Sequence, residues 1–427
     1  MSWLAAREPR SISELTALEV LDSRGRPTLQ VTVTLAGGVT GSAGVPSGAS
    51  TGSREAVERR DGGSRYGGLG VLQAAEAVSG EIAASLRSQA WRDLRDIDQC
   101  VIDLDGTGTK SRLGANAIVG VSMACARAFA RAEGQPLWQW LTPPGVEPRL
   151  PVPHFNVING GVHAPNALDF QEFMIAPLGA PSLGEAVRAG AEVYGALRTL
   201  LGQRGYSTGL GDEGGFAPEL EQPEDVLELL VEAIKEAGYV VGGSGVAIAL
   251  DPAASEFRGA DGRYRVAGRW HSTAEMVARY EAIADRYPVW LIEDGLGEDD
   301  WSGWTALTRT LGDRVQLVGD DIFVTNPAVI REGISRGVGN AALIKVNQVG
   351  TVTETLEAMA VCREAGYAQF VSHRSGETMD TFIADLAVGS GCGEIKAGAP
   401  ARGERVAKYN RLLEIARTRP DLAYGRS

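Results

Sequence analysis

The chain has 427 residues, of which 44% are hydrophobic and 22% are charged, and this is enough material for about two domains with large cores. Its formal net charge of −13 argues against a nucleic-acid partner held by general electrostatics, although it allows a small anionic substrate. No run of 18 apolar residues occurs, and the N-terminus lacks an apolar segment of signal-peptide length, so we expect a cytoplasmic protein with no membrane partner.

The first third of the chain predicts a small sheet backed by helices. Residues 1–12 show no periodicity and are expected to form a loose tail. Alternating apolar residues within 15–45 predict the strands of an antiparallel meander. Helical spacing follows at 71–87 and again at 116–133, which indicates helices that cover one face of the sheet.

A glycine-rich segment lies between the predicted sheet and these helices. Residues 45–56 read VPSGASTGSREA, which is small and polar. An ordinary linker and a mobile lid both fit this composition. Small residues permit large backbone movements and bring hydroxyl and N–H groups to a ligand, which is what a lid requires.

The domain boundary is predicted at a proline-rich segment. Residues 142–153 contain five prolines, which cannot continue a helix or a central strand. We therefore expect an N-terminal α+β domain at 1–142, which carries the lid segment, and a second, catalytic domain at 150–427.

The second domain carries a repeat of strand-length apolar runs that end in charge and alternate with helical segments. Such a repeat is typical of a parallel β/α barrel, which places functional residues at the carboxyl ends of its strands. Six residues lie at these predicted ends: Asp251, Glu293, Asp320, Lys345, His373 and Lys396. Two turn-rich segments upstream add His163, Glu172 and Glu213.

These residue types favour removal of a proton next to a carboxylate. Asp251, Glu293 and Asp320 offer hard oxygen ligands from separate strands, which suits Mg²⁺. We expect the positive neighbours of Lys345 to lower its pKa, so that a neutral lysine acts as the base. Proton abstraction alone would make a racemase. An opposing acid, Glu213, would let a β-hydroxyl leave as water and make a dehydratase.

Nine motifs along the chain carry a family resemblance. They are SGASTGSREA (47–56), NGGVHAPNALDFQEFM (159–174), GDEGGFAP (211–218), ALDPAASEF (249–257), IEDGLGEDDW (292–301), GDDIFVTN (319–326), KVNQVGT (345–351), SHRSGET (372–378) and IKAGAPARGERVAKYN (395–410). Together they resemble enolase, the phosphopyruvate hydratase, over residues 13–417. A lysine base with one or two Mg²⁺ ions is the established arrangement of that superfamily. The resemblance implies a small α+β domain, a modified TIM-type β/α barrel, and a homodimer or an octamer.

The resemblance also implies a role for each matched residue. Lys345 matches the base, and Glu213, assisted by Glu172, matches the acid. Asp251, Glu293 and Asp320 match the ligands of one tightly bound Mg²⁺, and Ser47 matches a ligand of a second Mg²⁺ that arrives with the substrate. The residues implied in binding a small phosphorylated or phosphonylated hydroxy acid, or in lining its pocket, are His163, Gln171, His373, Arg374, Ser375, Lys396, Ser47, Gly48, Ala49 and Ser50.

Several motif positions depart from the family pattern. Leu291 stands where serine is usual, Gly295 where proline is usual, Met379 where glutamate is usual and Ala397 where threonine is usual. Further departures are Arg26, Leu69 and Gly403.

Three hypotheses follow from these departures. The first is an ordinary enolase that converts 2-phosphoglycerate to phosphoenolpyruvate. The second is a paralogue such as the carboxyphosphonoenolpyruvate synthase of phosphinate antibiotic biosynthesis, because Met379 would make the phosphate site more positive and Ala397 would enlarge it. The third, a non-catalytic homologue that binds partner proteins, predicts loss of the base, the acid or the metal ligands, and all of these are present.

Overall fold

The computed structural model describes residues 8–49 and 51–426, and its first part is a four-stranded antiparallel sheet. Its strands are β1 (Arg10–Leu21), β2 (Pro27–Leu35), β3 (Thr40–Gly44) and β4 (Ala90–Trp91), in the order β3-β2-β1-β4. The predicted meander is confirmed. The prediction of a loose tail is wrong for residues 10–12, because Arg10 and Ser11 pair with β4 and Ile12 pairs with β2.

Helices cover one face of this sheet. They are α1 (Leu72–Ala77), α2 (Ala83–Leu86), α3 (Leu94–Asp105), α4 (Ala115–Ala132) and α5 (Leu137–Trp140), with a π-helical turn at Val78–Ile82 between α1 and α2 and a 3₁₀ turn at Arg65–Gly68. The long helix α4 is buried along most of its length. It approaches β3 so closely that a Cβ at Gly41 would lie 2.2 Å from the carbonyl oxygen of Ala124. Glycine at this position therefore permits the contact between the helix and the sheet.

The second part is a closed barrel of eight strands. The strands after β4 are β5 (Arg149–Leu150), β6 (Val152–Asn159), β7 (Glu172–Ala176), β8 (Ala247–Asp251), β9 (Tyr264–Val266), β10 (Arg269–His271), β11 (Val289–Glu293), β12 (Gln316–Gly319), β13 (Ala341–Ile344), β14 (Ala368–Ser372), β15 (Gly393–Lys396) and β16 (Ala423–Tyr424). The barrel order is β6-β7-β8-β11-β12-β13-β14-β15, and β15 closes onto β6. The pairs β9–β10 and β5–β16 lie outside the barrel.

The helices of this part follow or separate the barrel strands. They are α6 (Leu183–Gln203), α7 (Pro223–Glu236), α8 (Thr273–Arg286), α9 (Trp301–Leu311), α10 (Pro327–Arg336), α11 (Val346–Val349), α12 (Val352–Glu364), α13 (Phe382–Ser390) and α14 (Gly403–Thr418), with a 3₁₀ turn at Gly161–His163. Inside the barrel, apolar side chains from alternating strand positions form a separate core, which includes Met174, Leu291 and Phe370.

One barrel strand runs against the others. β7 is antiparallel to both β6 and β8, while the remaining neighbours are parallel. The reversal brings the first residue of β7, Glu172, opposite Asn159 at the end of β6 and Asp251 at the end of β8. A residue at the amino end of a strand thus joins the rim formed by the carboxyl ends of its neighbours.

The predicted fold class, a small α+β domain followed by a modified TIM-type β/α barrel, is confirmed. The division at 1–142 and 150–427 stays a prediction. Among the helices of the described residues, none combines the length and the apolar character that crossing a bilayer requires.

Candidate active site

The predicted strand-end residues lie at one rim of the barrel. Asp251, Glu293 and Lys396 are the last residues of β8, β11 and β15, while Asp320, Lys345 and His373 directly follow β12, β13 and β14. All six are buried. Because the strands end at the rim of the barrel, the side chains at or directly after their last residues face the space above the apolar core.

Lys396 lies at the centre of a carboxylate cluster. Its Nζ is 2.7 Å from Glu293 Oε1, 3.2 Å from Glu172 Oε1 and 3.3 Å from Asp251 Oδ2. Burial works to lower the pKa of Lys396, but these carboxylates outweigh it and raise the pKa well above its usual range. Gln171, predicted to bind substrate, donates from Nε2 to Asp251 Oδ2 at 3.4 Å. The cluster thus joins β7, β8, β11 and β15 around one ammonium group.

Lys345 is paired with Asp320, and this corrects one prediction. Its Nζ donates to Asp320 Oδ2, while the Asp320 Oδ1 atom accepts from Gln348 Nε2 at 2.7 Å. Burial works to lower the pKa of Lys345, as do Arg374 and Lys396, but the Asp320 charge outweighs them and raises it. The predicted lowering of this pKa is therefore wrong for the structure described here, since the prediction counted the positive neighbours and not the carboxylate in contact.

Asp294 holds the loop that carries Asp320. Its Oδ1 and Oδ2 accept from the backbone N–H groups of Asp320 and Asp321, at 2.8 Å and 2.9 Å. Asp294 adopts a left-handed conformation with φ of 42°, which is unfavourable for a residue with a Cβ. The two hydrogen bonds offset this strain and fix the position of the Asp320 carboxylate.

Glu213 lies among polar side chains from three other elements. Its Oε2 accepts from Asn156 Nδ2 at 2.8 Å and lies 3.3 Å from His373 Nε2, and its Oε1 lies 3.6 Å from His163 Nδ1. Ligand atoms of His163, Glu172 and Glu213 lie within 4.8 Å of one another, so the two predicted acid residues are neighbours.

The pKa values of the two glutamates in this pair are shifted in opposite directions. Burial and the charge of Glu213 raise the pKa of Glu172 well above its usual range, although Lys396 opposes them. Burial also works to raise the pKa of Glu213, but His373 and His163 outweigh it and lower that pKa well below its usual range. In the free protein, a proton bound by the pair therefore resides on Glu172.

Arg405 fixes His373 and the segment that follows it. Its Nη1 donates to His373 Nδ1 at 2.5 Å and to the backbone oxygen of Arg374 at 2.6 Å, and its Nη2 donates to the backbone oxygen of Ser375 at 2.6 Å. Because arginine can only donate, Nδ1 accepts and the ring proton lies on Nε2, which faces Glu213. Burial lowers the pKa of His373 to about 4, so the ring is neutral at neutral pH.

The predicted lid segment contacts Arg374 and Ser375. Glu55 forms a two-point ion pair with Arg374, whose Nη1 also donates to Asn347 Oδ1 at 3.1 Å. Arg24 joins the segment to Ser375, because its Nη1 donates to Ser375 Oγ at 3.2 Å and its Nη2 donates to the backbone oxygens of Ser47 and Gly48. The end of the segment thus lies against the arginine predicted to bind phosphate, through Glu55, and the start of the segment is joined to Ser375 through Arg24.

The other predicted residues of the lid segment are Ser47, Ala49 and Ser50. Ser47 exchanges backbone hydrogen bonds with Gly376, and its hydroxyl donates to Glu58 Oε2 at 3.1 Å. Ala49 is exposed. Ser50 lies outside the described residues.

The three predicted metal ligands fit a hard divalent cation. Asp251, Glu293 and Asp320 come from three adjacent strands, and burial together with the Asp251 and Asp320 charges raises the pKa of Glu293 well above its usual range. Among the described residues, their oxygens do not form a group that converges within 4.8 Å, because Lys396 and Lys345 hold these carboxylates in ion pairs. The buried Glu293 Oε2 has no hydrogen-bond partner among the described residues. The three carboxylates whose oxygens do lie within 4.8 Å of one another are Asp294, Asp320 and Asp321. Since Asp294 already binds two backbone N–H groups, we favour the first set.

Comparison with known families agrees with this geometry. The sequence profile described as "Enolase, N-terminal domain" matches residues 12–141, and the profile described as "Enolase, C-terminal TIM barrel domain" matches residues 147–423. The chain belongs to the enolase family. Membership supports a lyase of the enolase superfamily, and the acidic groups at the rim supply the kind of site that a metal ion requires.

Met379 and Ala397, which depart from the enolase pattern, do not lie where an effect on the phosphate site or on the size of the substrate pocket would require. Met379 is 64% exposed and lines a surface cavity with Leu21 and Glu404, and Ala397 is fully buried within the main hydrophobic core. Leu291 belongs to the apolar core inside the barrel. These placements weaken the argument that Met379 and Ala397 reshape the site for a bulkier substrate.

Sequence reasoning missed several residues that organise this enolase site. Glu55, Gln348, Asn156, Arg24 and Arg405 each contact a predicted site residue. Glu55, Gln348 and Arg405 lie inside the quoted motifs, so their positions were a usable signal. Their roles were not, because each depends on a contact between segments far apart in the chain.

Proposed function

We propose that this enolase-family chain is a hydro-lyase that converts 2-phosphoglycerate to phosphoenolpyruvate. The observation that carries the proposal is that the buried Lys345 and the buried pair Glu172 and Glu213 lie at the same barrel rim. Lys396 is close enough to interact electrostatically with Lys345 and with the two glutamates. Abstraction of a proton and departure of a hydroxyl group need a base and an acid placed in this way around one substrate.

The base role falls to Lys345 because of its position. It directly follows β13, and its buried side chain binds Asp320 at the end of the neighbouring strand β12. To accept a proton from the carbon next to the substrate carboxylate, Lys345 Nζ leaves Asp320 and first releases its own extra proton to solvent water. Burial, Arg374 and Lys396 then favour the neutral amine.

The acid role falls to the pair of glutamates. The raised pKa of Glu172 favours a proton on that carboxyl, and its neighbour Glu213 is oriented by Asn156, His163 and His373. We infer that the proton passes to Glu213 and from there to the leaving β-hydroxyl, which departs as water. The lone pair left by the abstracted proton forms the new carbon–carbon double bond.

The remaining residues hold the substrate and the ions. Lys396 and Gln171 bind the substrate carboxylate, where negative charge develops, and Arg374 with Ser375 binds the phosphate. Asp251, Glu293 and Asp320 would hold one Mg²⁺, and Ser47 a second. When bound, Mg²⁺ neutralises the carboxylates and stabilises the charge that develops on the substrate.

Turnover with 2-phosphoglycerate and Mg²⁺ tests the proposal directly. Formation of phosphoenolpyruvate is followed by its ultraviolet absorbance, with a chelator control that should abolish the reaction. We expect a kcat of roughly 1 to 10³ per second. A rate several orders of magnitude lower, with the metal still bound, would contradict the substrate assignment, and the carboxyphosphono analogue would then be assayed as the alternative substrate.

Self-association and a cytoplasmic location are part of the same proposal. Leu21 and Met379 are apolar side chains that are 57% and 64% exposed, and they line one surface cavity among polar and charged residues. We propose that a second copy of the chain covers these two side chains. We expect a homodimer or an octamer by light scattering, and Leu21→Glu should shift the mass towards the monomer. An unchanged mass would place the interface elsewhere, and cell fractionation tests the location.

A further inference from the structure

The terminal nitrogens of Arg374 are engaged by a carboxylate of the same protein. Glu55 Oε2 lies 2.9 Å from Arg374 Nη1, and Glu55 Oε1 lies 3.1 Å from Nη2. The two side chains are 8% and 3% exposed, so this ion pair is largely shielded from water. A planar two-point contact of this kind is the geometry in which arginine binds both carboxylates and phosphates.

The Glu55 carboxylate is held in place from two other sides. Its Oε1 also accepts from the backbone N–H of Gly52 at 3.2 Å and from Gln348 Nε2 at 3.2 Å. Further along the same segment, Ser53 donates from its N–H and its hydroxyl to Glu298 Oε2, at 3.0 Å and 3.1 Å. A Glu55 side chain that leaves Arg374 therefore stays tethered close to it, and a tethered group competes at a high effective concentration.

We propose that Glu55 is a specificity-determining residue, an internal competitor that restricts Arg374 to dianionic phosphate or phosphonate groups. This inference rests on the proposed function, which assigns the substrate phosphate to Arg374. An anion that takes the terminal nitrogens of Arg374 displaces the carboxylate. A singly charged anion merely replaces one negative charge by another, whereas a dianion is attracted to Arg374 more strongly than the carboxylate is. The displaced carboxylate repels the incoming anion, but it keeps the hydrogen bonds from Gly52 N–H and Gln348 Nε2, which partly offset its charge.

The experiment compares two anions of similar shape and different charge. Methyl phosphate is a dianion at about pH 8, because the second ionisation of a phosphate monoester lies near 6, and dimethyl phosphate is a monoanion. Their Kd values are measured by calorimetry for the unaltered protein, for Glu55→Gln and for the control Glu298→Gln. The control changes another contact of the same segment and leaves the Glu55–Arg374 pair in place.

The expected result is a change in selectivity. The unaltered protein should bind methyl phosphate at least about tenfold more tightly than dimethyl phosphate, and Glu55→Gln should lower the Kd of the monoanion by about tenfold, so that the ratio narrows. Glu298→Gln should keep the original ratio. Arg374→Lys should weaken binding of both probes, which shows that they bind at this arginine.

Three results would overturn the inference. The first is a Kd ratio that is the same with and without the Glu55 charge. The second is weaker binding of both probes to Glu55→Gln, which would mean that Glu55 only supports Arg374. The third is that neither probe binds to the unaltered protein or to Glu55→Gln. The measurement needs no turnover. Loss of activity on 2-phosphoglycerate with intact charge selectivity would therefore count against the proposed function alone.

Discussion

Replacement of Lys345 separates the two halves of the proposed reaction. In Lys345→Ala, exchange of the substrate α-proton with solvent deuterium should fall by at least about 10² to 10⁴, the usual contribution of a general base, and phosphoenolpyruvate formation should fall with it. Lys396 is a poor substitute, because its ammonium is held by Glu172, Asp251 and Glu293. Exchange is measured by mass spectrometry of 2-phosphoglycerate recovered from D₂O.

The same replacement affects stability, and the structure sets the scale. Removing Lys345 leaves the buried Asp320 without its ion-pair partner, a change that typically costs about 3–5 kcal/mol. Gln348 still donates to Asp320 Oδ1 at 2.7 Å, so we expect the lower end of this range. Urea denaturation must show that the variant is folded at the assay temperature, and Lys345→Met is a second variant that keeps most of the volume.

Glu213→Gln is the matched variant for the other half of the reaction. The amide can still accept from Asn156 Nδ2, which lies 2.8 Å from the present carboxylate, so the local structure should persist. Exchange should continue and loss of water should stop, because the amide cannot deliver a proton. Exchange at the original rate in folded Lys345→Ala would refute the base assignment, and loss of exchange in Glu213→Gln would refute the division of roles.

Three further substitutions test single features of the structure. In Arg405→Lys, the lysine cannot bind the backbone oxygens of Arg374 and Ser375 at the same time. The KM for 2-phosphoglycerate should therefore rise by about tenfold, with a smaller change in kcat. A fall in kcat alone would contradict this expectation. Leu291→Ala should destabilise the barrel by about 2–5 kcal/mol in urea, and a loss below about 1 kcal/mol would contradict its place in the core. Burial raises the pKa of Asp98 to about 7, so the folded state keeps a proton that the unfolded state releases above about pH 4, and stability falls as the pH rises towards 7. Asp98→Asn should therefore stabilise the protein by roughly 1–3 kcal/mol at about pH 8 and much less at about pH 4, and equal effects at both would refute the shift.

The rim of the barrel could be predicted because its signal is local. A short apolar run that stops at Asp251 or Lys345 shows both the strand and its end, and the repeat of such runs indicates the barrel. The reversal of β7 could not be predicted, because a fully buried strand has the same apolar pattern in either direction. The place of Glu172 at the rim came from the family resemblance, and the reversed strand gives its physical reason.

The electrostatics of the site required the contacts themselves. The sequence showed that Lys345 would have positive neighbours, and it did not show that Asp320 touches the ammonium group. The same limit applies to Arg374, whose pairing with Glu55 joins residues 319 positions apart. A pKa depends on distances of a few ångströms, and a motif gives the order of residues rather than these distances.

The pairing of charges also links the two ends of the site. Gln348 Nε2 donates to Glu55 Oε1 at 3.2 Å and to Asp320 Oδ1 at 2.7 Å, so one amide joins the acid on Arg374 to the acid on Lys345. A Glu55 side chain that leaves Arg374 keeps its hydrogen bond from this amide, so its movement also shifts the donor of Asp320, and a movement of Asp320 shifts the donor of Glu55. An anion at Arg374 and a cation at Asp320 therefore act on a shared element. Because coupling between binding sites is reciprocal, each ligand should change the affinity of the other by the same factor.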